Sequence, residues 1–150
     1  MKREVPERIE ITKMKQNSEN REYVLENVKQ EGALLEFACE KLRDDKEVVS
    51  EAIHNNPEAL EFASDRLKGD RQVAYDSVSK VGWTYCYVQE NLLEDKELLM
   101  SGLKVTGQIL YFAAQDMRDD KEVVKEAVAN KPIIIKYASG RLREDKEIGL

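Results

Sequence analysis

The sequence has few of the residues that usually carry chemistry. It contains one histidine, one tryptophan, two cysteines and three prolines in 150 residues. The cysteines, Cys39 and Cys86, form no CxxC motif and have no cluster of histidines around them, so neither a zinc site nor a disulfide framework is indicated. We interpret both as free thiols, and we expect no metal and no cofactor.

Long hydrophobic runs and an excess of positive charge are also absent. No run approaches the ~20 apolar residues needed to span a bilayer, and the N-terminal stretch lacks the apolar centre of a secretory signal. The net charge is −6, from 30 acidic and 24 basic residues, whereas nucleic-acid modules usually carry a basic stripe. We expect a cytoplasmic protein that contacts neither nucleic acid nor a membrane.

The main feature of the sequence is a repeat with a period of 25 residues. The segment DDKEVV occurs at residues 44–49 and again at 119–124. Asn20 begins a series that aspartates continue at the same interval: Asp45, Asp70, Asp95, Asp120 and Asp145. The repeat predicts five complete units without insertion or deletion, numbered 1 to 5 here, and a partial sixth: 20–44, 45–69, 70–94, 95–119, 120–144 and 145–150. Positions within a unit are numbered from 1 to 25.

The first half of each unit is predicted to be an amphipathic α-helix. Asp or Asn at position 1 is a strong N-cap, and an acid at position 3 suits the positive end of the helix dipole. Apolar residues at positions 4, 5, 8 and 9 have the spacing of one helix face, as in Val48, Val49, Ala52 and Ile53. Position 13 is Gly or Pro, and we expect glycine to end the helix in the left-handed conformation and proline to begin the next helix.

The second half of each unit is predicted to be another helix, which in unit 2 carries Leu60, Phe62, Ala63 and Leu67 toward the core. Helices of roughly 10–12 residues are too short to be stable alone, so neighbouring units must share a core. The predicted fold is all-α. It is a right-handed α-solenoid of five 25-residue helical-hairpin repeats that forms one domain over residues 20–150, after an N-terminal cap or irregular segment over 1–19.

The pattern D-K-E-V-V-x-x-A-V, then Gly or Pro, then L-x-F/Y-A-x-x-x-L resembles the repeats of the family called domain of unknown function 4116. The resemblance covers residues 20–150 and supports the helical-repeat prediction. It implies no activity, cofactor or catalytic residue. Unit 3 departs most from the pattern, because its second half reads GWTYCYVQENLL.

The candidate catalytic residues all have a simpler structural interpretation. His54 would have to meet Cys39 or a serine across the stack to form a nucleophilic pair, and we interpret it as a surface residue. The paired acids Asp44–Asp45 and Asp119–Asp120 suit a hard cation, but helix capping already explains the second acid of each pair. We therefore predict no catalytic activity.

Basic residues at positions 2, 22 and 24 alternate with acids at positions 25, 1 and 3. This alternation predicts a ladder of surface ion pairs along one edge of the stack, each contributing little. The alternative is an edge that binds an anionic ligand, which requires that the bases remain free.

At some positions that are expected to be exposed, the middle units carry apolar residues where other units carry polar ones. This difference between units indicates a contact surface. Position 6 of the first helix and positions 14 and 17 of the second behave in this way, and they give the predicted partner-binding residues: Tyr75, Trp83, Cys86, Met100 and Tyr111. The alternative is that Trp83 and Tyr75 pack between units as additional core, which is also our expectation for three tyrosines: Tyr85, Tyr87 and Tyr137.

The predicted function is that of a non-catalytic helical-repeat scaffold that binds a protein or peptide partner. The alternative is a structural spacer or regulatory arm within a longer repeat-containing protein, and a small-molecule site or enzyme is a distant third. We expect a monomer, with end-to-end stacking as the alternative.

Overall fold

The computed structural model describes residues 8–148 of the chain, with side chains from residue 10 onward. The predictions for residues 1–7 of the N-terminal segment and for 149–150 of the partial sixth unit lie outside the described residues. Every regular element of residues 8–148 is a helix, which confirms the all-α prediction for this range. Among these helices, none combines the length and the apolar character that crossing a bilayer requires.

The chain contains two kinds of helix, α-helices (α) and 3₁₀-helices (η). In chain order they are α1 (Arg8–Gln16), α2 (Arg21–Gln30), η1 (Gly32–Phe37), α3 (Glu40–Arg43), α4 (Lys46–Asn55), η2 (Pro57–Phe62), α5 (Asp65–Lys68), α6 (Arg71–Val78), η3 (Gly82–Tyr87), η4 (Glu90–Leu92), α7 (Lys96–Leu103), η5 (Gly107–Phe112), α8 (Gln115–Arg118), α9 (Lys121–Asn130), η6 (Pro132–Tyr137) and α10 (Gly140–Arg143).

The predicted N-caps begin the long α-helices of all five units. The side-chain oxygen of Asp45 accepts hydrogen bonds from the amides of Glu47 and Val48, and Asn20 accepts from the amide of Tyr23. The remaining three caps, which act in the same way, are Asp70, Asp95 and Asp120. The five helix starts are therefore confirmed at the 25-residue interval.

The second half of each unit differs from the predicted single helix. A six-residue 3₁₀-helix comes first, two residues of extended backbone follow, and a short helix of three or four residues ends the unit. In unit 2 the extended residues are Ala63 (φ −67°, ψ 158°) and Ser64 (φ −62°, ψ 158°). The Ser64 hydroxyl oxygen accepts from the amide of Leu67 at 3.3 Å, so Ser64 caps a new helix and prevents the first from continuing.

The expectation of left-handed glycines at position 13 is wrong, because no residue of the described chain has a positive φ. Space is the reason for glycine at this position. A Cβ atom built on Gly32 would overlap the carbonyl oxygen of Ala52, and one on Gly107 would overlap that of Ala127. The proline expectation is confirmed, since Pro57 and Pro132 each begin a 3₁₀-helix.

The core lies between a layer of long α-helices and a layer of six-residue 3₁₀-helices. Successive long helices (α2, α4, α6, α7 and α9) contact one another, as do successive 3₁₀-helices (η1, η2, η3, η5 and η6). The buried side chains include the predicted ones: Val48, Val49, Ala52, Ile53, Leu60, Ala63 and Leu67. Position 15 is buried as well, although the sequence analysis did not place it in the core: Leu34, Ala59, Thr84, Ile109 and Ile134.

Candidate functional site

Large apolar side chains reach solvent mainly on the layer of 3₁₀-helices. The exposed fraction is 42% for Trp83 on η3, 59% and 48% for Tyr111 and Phe112 on η5, and 61% for Ile133 on η6. These three 3₁₀-helices contact one another in order. We define the apolar face as these four side chains together with Cys86, which is also exposed on η3.

Edge-to-face ring contacts hold the aromatic side chains of this layer in place. The ring centroids of Trp83 and Tyr87 are 5.5 Å apart at an interplanar angle of 60°. Tyr111 contacts both Phe112, at 5.2 Å, and Tyr137 of the next unit, at 5.1 Å. Such pairs favour fixed ring orientations, so the rings are held in two groups, one in unit 3 and one that joins units 4 and 5.

The structure divides the five predicted partner-binding residues between the two layers. Trp83, Cys86 and Tyr111 are exposed on 3₁₀-helices. Tyr75 on α6 and Met100 on α7 are half-buried and pack against the core. The guanidinium of Arg71 also lies 6.0 Å from the centre of the Tyr75 ring.

The three tyrosines predicted to pack do so. Tyr85 is fully buried and its hydroxyl donates to the carbonyl oxygen of Leu93 at 3.4 Å, while Tyr87 and Tyr137 are half-buried against the core. Burial raises the pKa of Tyr85 to about 12, with Asp95 adding to the effect. Burial also raises the pKa of Tyr87 to about 12, and the Glu61 carboxylate adds to it. Both hydroxyls therefore remain protonated at neutral pH.

The basic residues at position 2 form the predicted ion-pair ladder. In each case the cation of one unit binds the position-1 aspartate of the next. The N–O distances run from 2.7 to 3.1 Å in the five pairs: Arg21–Asp45, Lys46–Asp70, Arg71–Asp95, Lys96–Asp120 and Lys121–Asp145. The alternative of an anion-binding edge needs free bases at positions 2, 22 and 24. The position-2 bases of units 1 to 5 are all engaged, and at position 22 Arg66 and Arg141 pair with Asp44 and Asp119.

The other candidate residues do not converge on one site. His54 is exposed and lines a shallow groove with Ser50, Glu51, Asp76 and Lys80, whereas Cys86 lies on η3 outside that groove. Within the part of the chain that has described side chains, no group of three or more His, Cys, Asp or Glu residues is arranged to hold a metal ion.

Sequence reasoning left out two members of the apolar face, Phe112 and Ile133. Phe112 occupies position 18, where every unit has an aromatic residue, so the repeat pattern assigned it to packing. Ile133 occupies position 14, the same position as Trp83, and its apolar character at a variable position was the available signal.

Comparison with known proteins identifies a family. The family model described as Domain of unknown function (DUF4116) matches residues 20–68 and 120–150, which together make up more than half of the chain. Residues 69–119, which include Trp83, Tyr111 and Phe112, lie outside the match, so it is narrower than the predicted range of 20–150. Searches of curated proteins and of solved structures find no match. The chain belongs to the family Domain of unknown function (DUF4116).

Proposed function

We propose that the chain is a non-catalytic scaffold that binds a protein or peptide segment on its apolar face. The proposed architecture is a right-handed α-solenoid of five 25-residue repeats, in which each repeat pairs a long α-helix with a 3₁₀-helix. In such arrays each repeat buries its apolar side chains against its neighbours and leaves a continuous outer surface.

The observation that carries the proposal is the exposure of large apolar side chains on the six-residue 3₁₀-helices of three successive units, η3, η5 and η6. Trp83, Tyr111, Phe112 and Ile133 are between 42% and 61% exposed, although each has core neighbours in its own helix. Contiguous exposed apolar surface is uncommon on soluble monomers and often marks a partner site. Trp and Tyr are also the residue types that most often anchor interfaces.

Tyr75 and Met100 have a different role in this proposal. Their half-buried side chains pack against the core from the α-helical layer, so we assign them to packing and not to the contact surface. The apolar face then consists of Trp83, Cys86, Tyr111, Phe112 and Ile133.

A peptide-display selection tests the proposal directly. We expect a random 12-residue peptide library, panned on the full chain, to yield binders whose affinity falls at least tenfold with Trp83→Ala plus Tyr111→Ala, because anchor truncations commonly cost about 2 kcal/mol or more. A matched control, His54→Ala plus Lys125→Ala, truncates two exposed side chains of the α-helical layer. Equal affinity for all three proteins would refute the assigned face and favour the spacer role.

A further inference from the structure

The aromatic residues at position 18 differ in whether a cation of the chain lies over their rings. Lysine side chains of the chain itself cover two of its rings: Lys15 Nζ lies 5.3 Å from the centre of Phe37, and Lys136 Nζ lies 4.9 Å from the centre of Tyr137. Tyr87 occupies the same position in unit 3. Within the described side chains no cation lies over the Tyr87 ring, and Trp83 contacts it edge-on instead.

A carboxylate of the preceding unit interacts with Tyr87 and with Cys86. Glu61 on η2 is exposed; its carboxylate accepts a hydrogen bond from the Tyr87 hydroxyl and also acts electrostatically on the Cys86 thiol. Cys86 follows Trp83 by three residues, so the two side chains share one line of their 3₁₀-helix. Among the residues with described side chains Glu61 has no ion pair, in contrast to the aspartates of the ladder.

We propose that Trp83, Tyr87 and Glu61 form a seat for a lysine or arginine side chain of the bound peptide. The inference rests on the proposed function and names the chemistry of its partner. An indole ring is the strongest aromatic binder of a cation, and the attraction grows when the site is partly desolvated. Glu61 supplies the counter-charge and a charge-assisted hydrogen bond.

The charges along position 17 place this cation at one end of the peptide. Across the five units the row reads Glu36, Glu61, Cys86, Tyr111 and Lys136, so it changes from acidic through apolar to basic. A basic residue of the peptide therefore lies on the side of units 1 and 2, and its apolar residues lie over Tyr111, Phe112 and Ile133. With about 8–10 Å between neighbouring helices, the path from Glu61 to Ile133 is roughly 24–30 Å, or about eight extended residues.

A double-mutant cycle on selected peptides tests the seat. Each Lys or Arg of a selected 12-residue peptide is replaced by norleucine, and affinity for the full chain is followed by fluorescence of Trp83, the only tryptophan. We expect one such replacement to weaken binding to the wild type by about 3- to 30-fold. The same replacement should weaken binding to the Glu61→Gln variant clearly less, because the peptide cation and the Glu61 carboxylate interact in the wild type. The control Glu26→Gln alters an exposed carboxylate on α2 and should leave the cost unchanged.

The other outcomes separate the two proposals. Peptides that need Trp83 and Tyr111 but contain no required Lys or Arg would overturn the cation seat and leave the binding function intact. If replacing the peptide Lys or Arg by norleucine weakened binding to Glu61→Gln as much as it weakens binding to the wild type, the cation seat would likewise be overturned. A library that yields no binder would overturn both. A dimer in light scattering whose Trp83 is shielded from a soluble quencher would assign the face to a second copy of the chain and also overturn the seat.

Discussion

The aspartate at position 1 has a separate contact for each of its two carboxylate oxygens. In Asp45, Oδ1 accepts the amide of Val48 at 3.2 Å, and Oδ2 accepts from Arg21 Nε of the preceding unit at 2.8 Å. In Asp120, Oδ1 accepts the amide of Val123 and Oδ2 accepts from Lys96 Nζ. One residue thus starts its own helix and binds the unit before it.

Glycine at position 13 is the second residue whose identity follows from a neighbouring unit. We predict that Gly107→Ala lowers the free energy of unfolding by about 1–3 kcal/mol, as overpacked sites do, because the new methyl group meets the Ala127 carbonyl. Urea denaturation followed by circular dichroism measures the change.

Gly140→Ala is the matched control for this substitution. A Cβ atom at Gly140 has Arg143 Nη2 at 3.7 Å as its nearest contact, which is ordinary van der Waals distance. Neither glycine has a positive φ, so alanine at Gly140 should leave stability unchanged or raise it by about 0.4–1 kcal/mol. If Gly107→Ala and Gly140→Ala lowered the free energy of unfolding by similar amounts, overlap with the Ala127 carbonyl would not be the cause of the loss at Gly107.

Successive short helices are joined by a second recurring contact, which we call the clasp. Asp44 at position 25 accepts from the Ser64 hydroxyl at 2.5 Å and from Arg66 Nε at 2.8 Å. Units 4 and 5 repeat the clasp with Asp119, Ser139 and Arg141. The serine hydroxyl is the main cause of a lowered pKa at Asp44, followed by the arginine.

The junction between units 3 and 4 has other residues at the clasp positions. Glu94 stands at position 25, and the next unit has Ala114 and Asp116 where the clasp needs a hydroxyl and a guanidinium. The backbone N–H of Ser64 donates to the carbonyl oxygen of Arg43, and that of Ser139 donates to the carbonyl oxygen of Arg118. Within residues 8–148 the backbone N–H of Ala114 makes no equivalent hydrogen bond to the preceding unit. The second layer is therefore joined less firmly at this junction.

Installing the clasp at this junction should stabilise the protein. We predict that Glu94→Asp, Ala114→Ser and Asp116→Arg together raise the midpoint of thermal unfolding by about 2–4 °C, because they add two charge-assisted contacts between units. The reciprocal variant, Ser139→Ala plus Arg141→Ala, should lower the midpoint. An unchanged midpoint in both variants, followed by circular dichroism, would show that the clasp contributes no stability.

Over the whole molecule, the capping aspartates make the free energy of unfolding depend on pH. The pKa of Asp45 is lowered mainly by Arg21. At Asp70, Asp95 and Asp120 burial is the largest influence and acts upward, but the paired cation and the helix amides together outweigh it and leave the pKa low. A depressed folded-state pKa contributes stability above the unfolded pKa of about 4, and this contribution is lost as the pH falls through the folded value.

We therefore predict that the free energy of unfolding is nearly constant from pH 7 to about 5 and falls progressively below about pH 4. Urea titrations between pH 2.5 and pH 7 measure this dependence. In Asp120→Asn the side chain keeps an oxygen acceptor for the cap but cannot ionise, so the decrease below pH 4 should be shallower than in the wild type. A wild-type stability that rises on acidification would contradict the assignment.

The candidate surface was predictable only in part. A single sequence shows which positions vary between units, and this signal found Trp83 and Tyr111, which are exposed. It did not distinguish the layers, so it grouped the half-buried Tyr75 and Met100 with them. It also missed Phe112, because exposure at position 18 depends on which neighbouring side chains cover the ring.

The fold was likewise predictable only where local signals determine it, and not where contacts between units do. Helix caps and the spacing of apolar residues act within one turn or two, so the sequence alone established the helical class, the 25-residue interval and the first residue of each long helix. The need for glycine at position 13 of units 1, 3 and 4, the ladder register and the clasp depend on contacts between residues 20 to 26 positions apart. Those contacts exist only once neighbouring units pack, and for that reason the structure was required to show them.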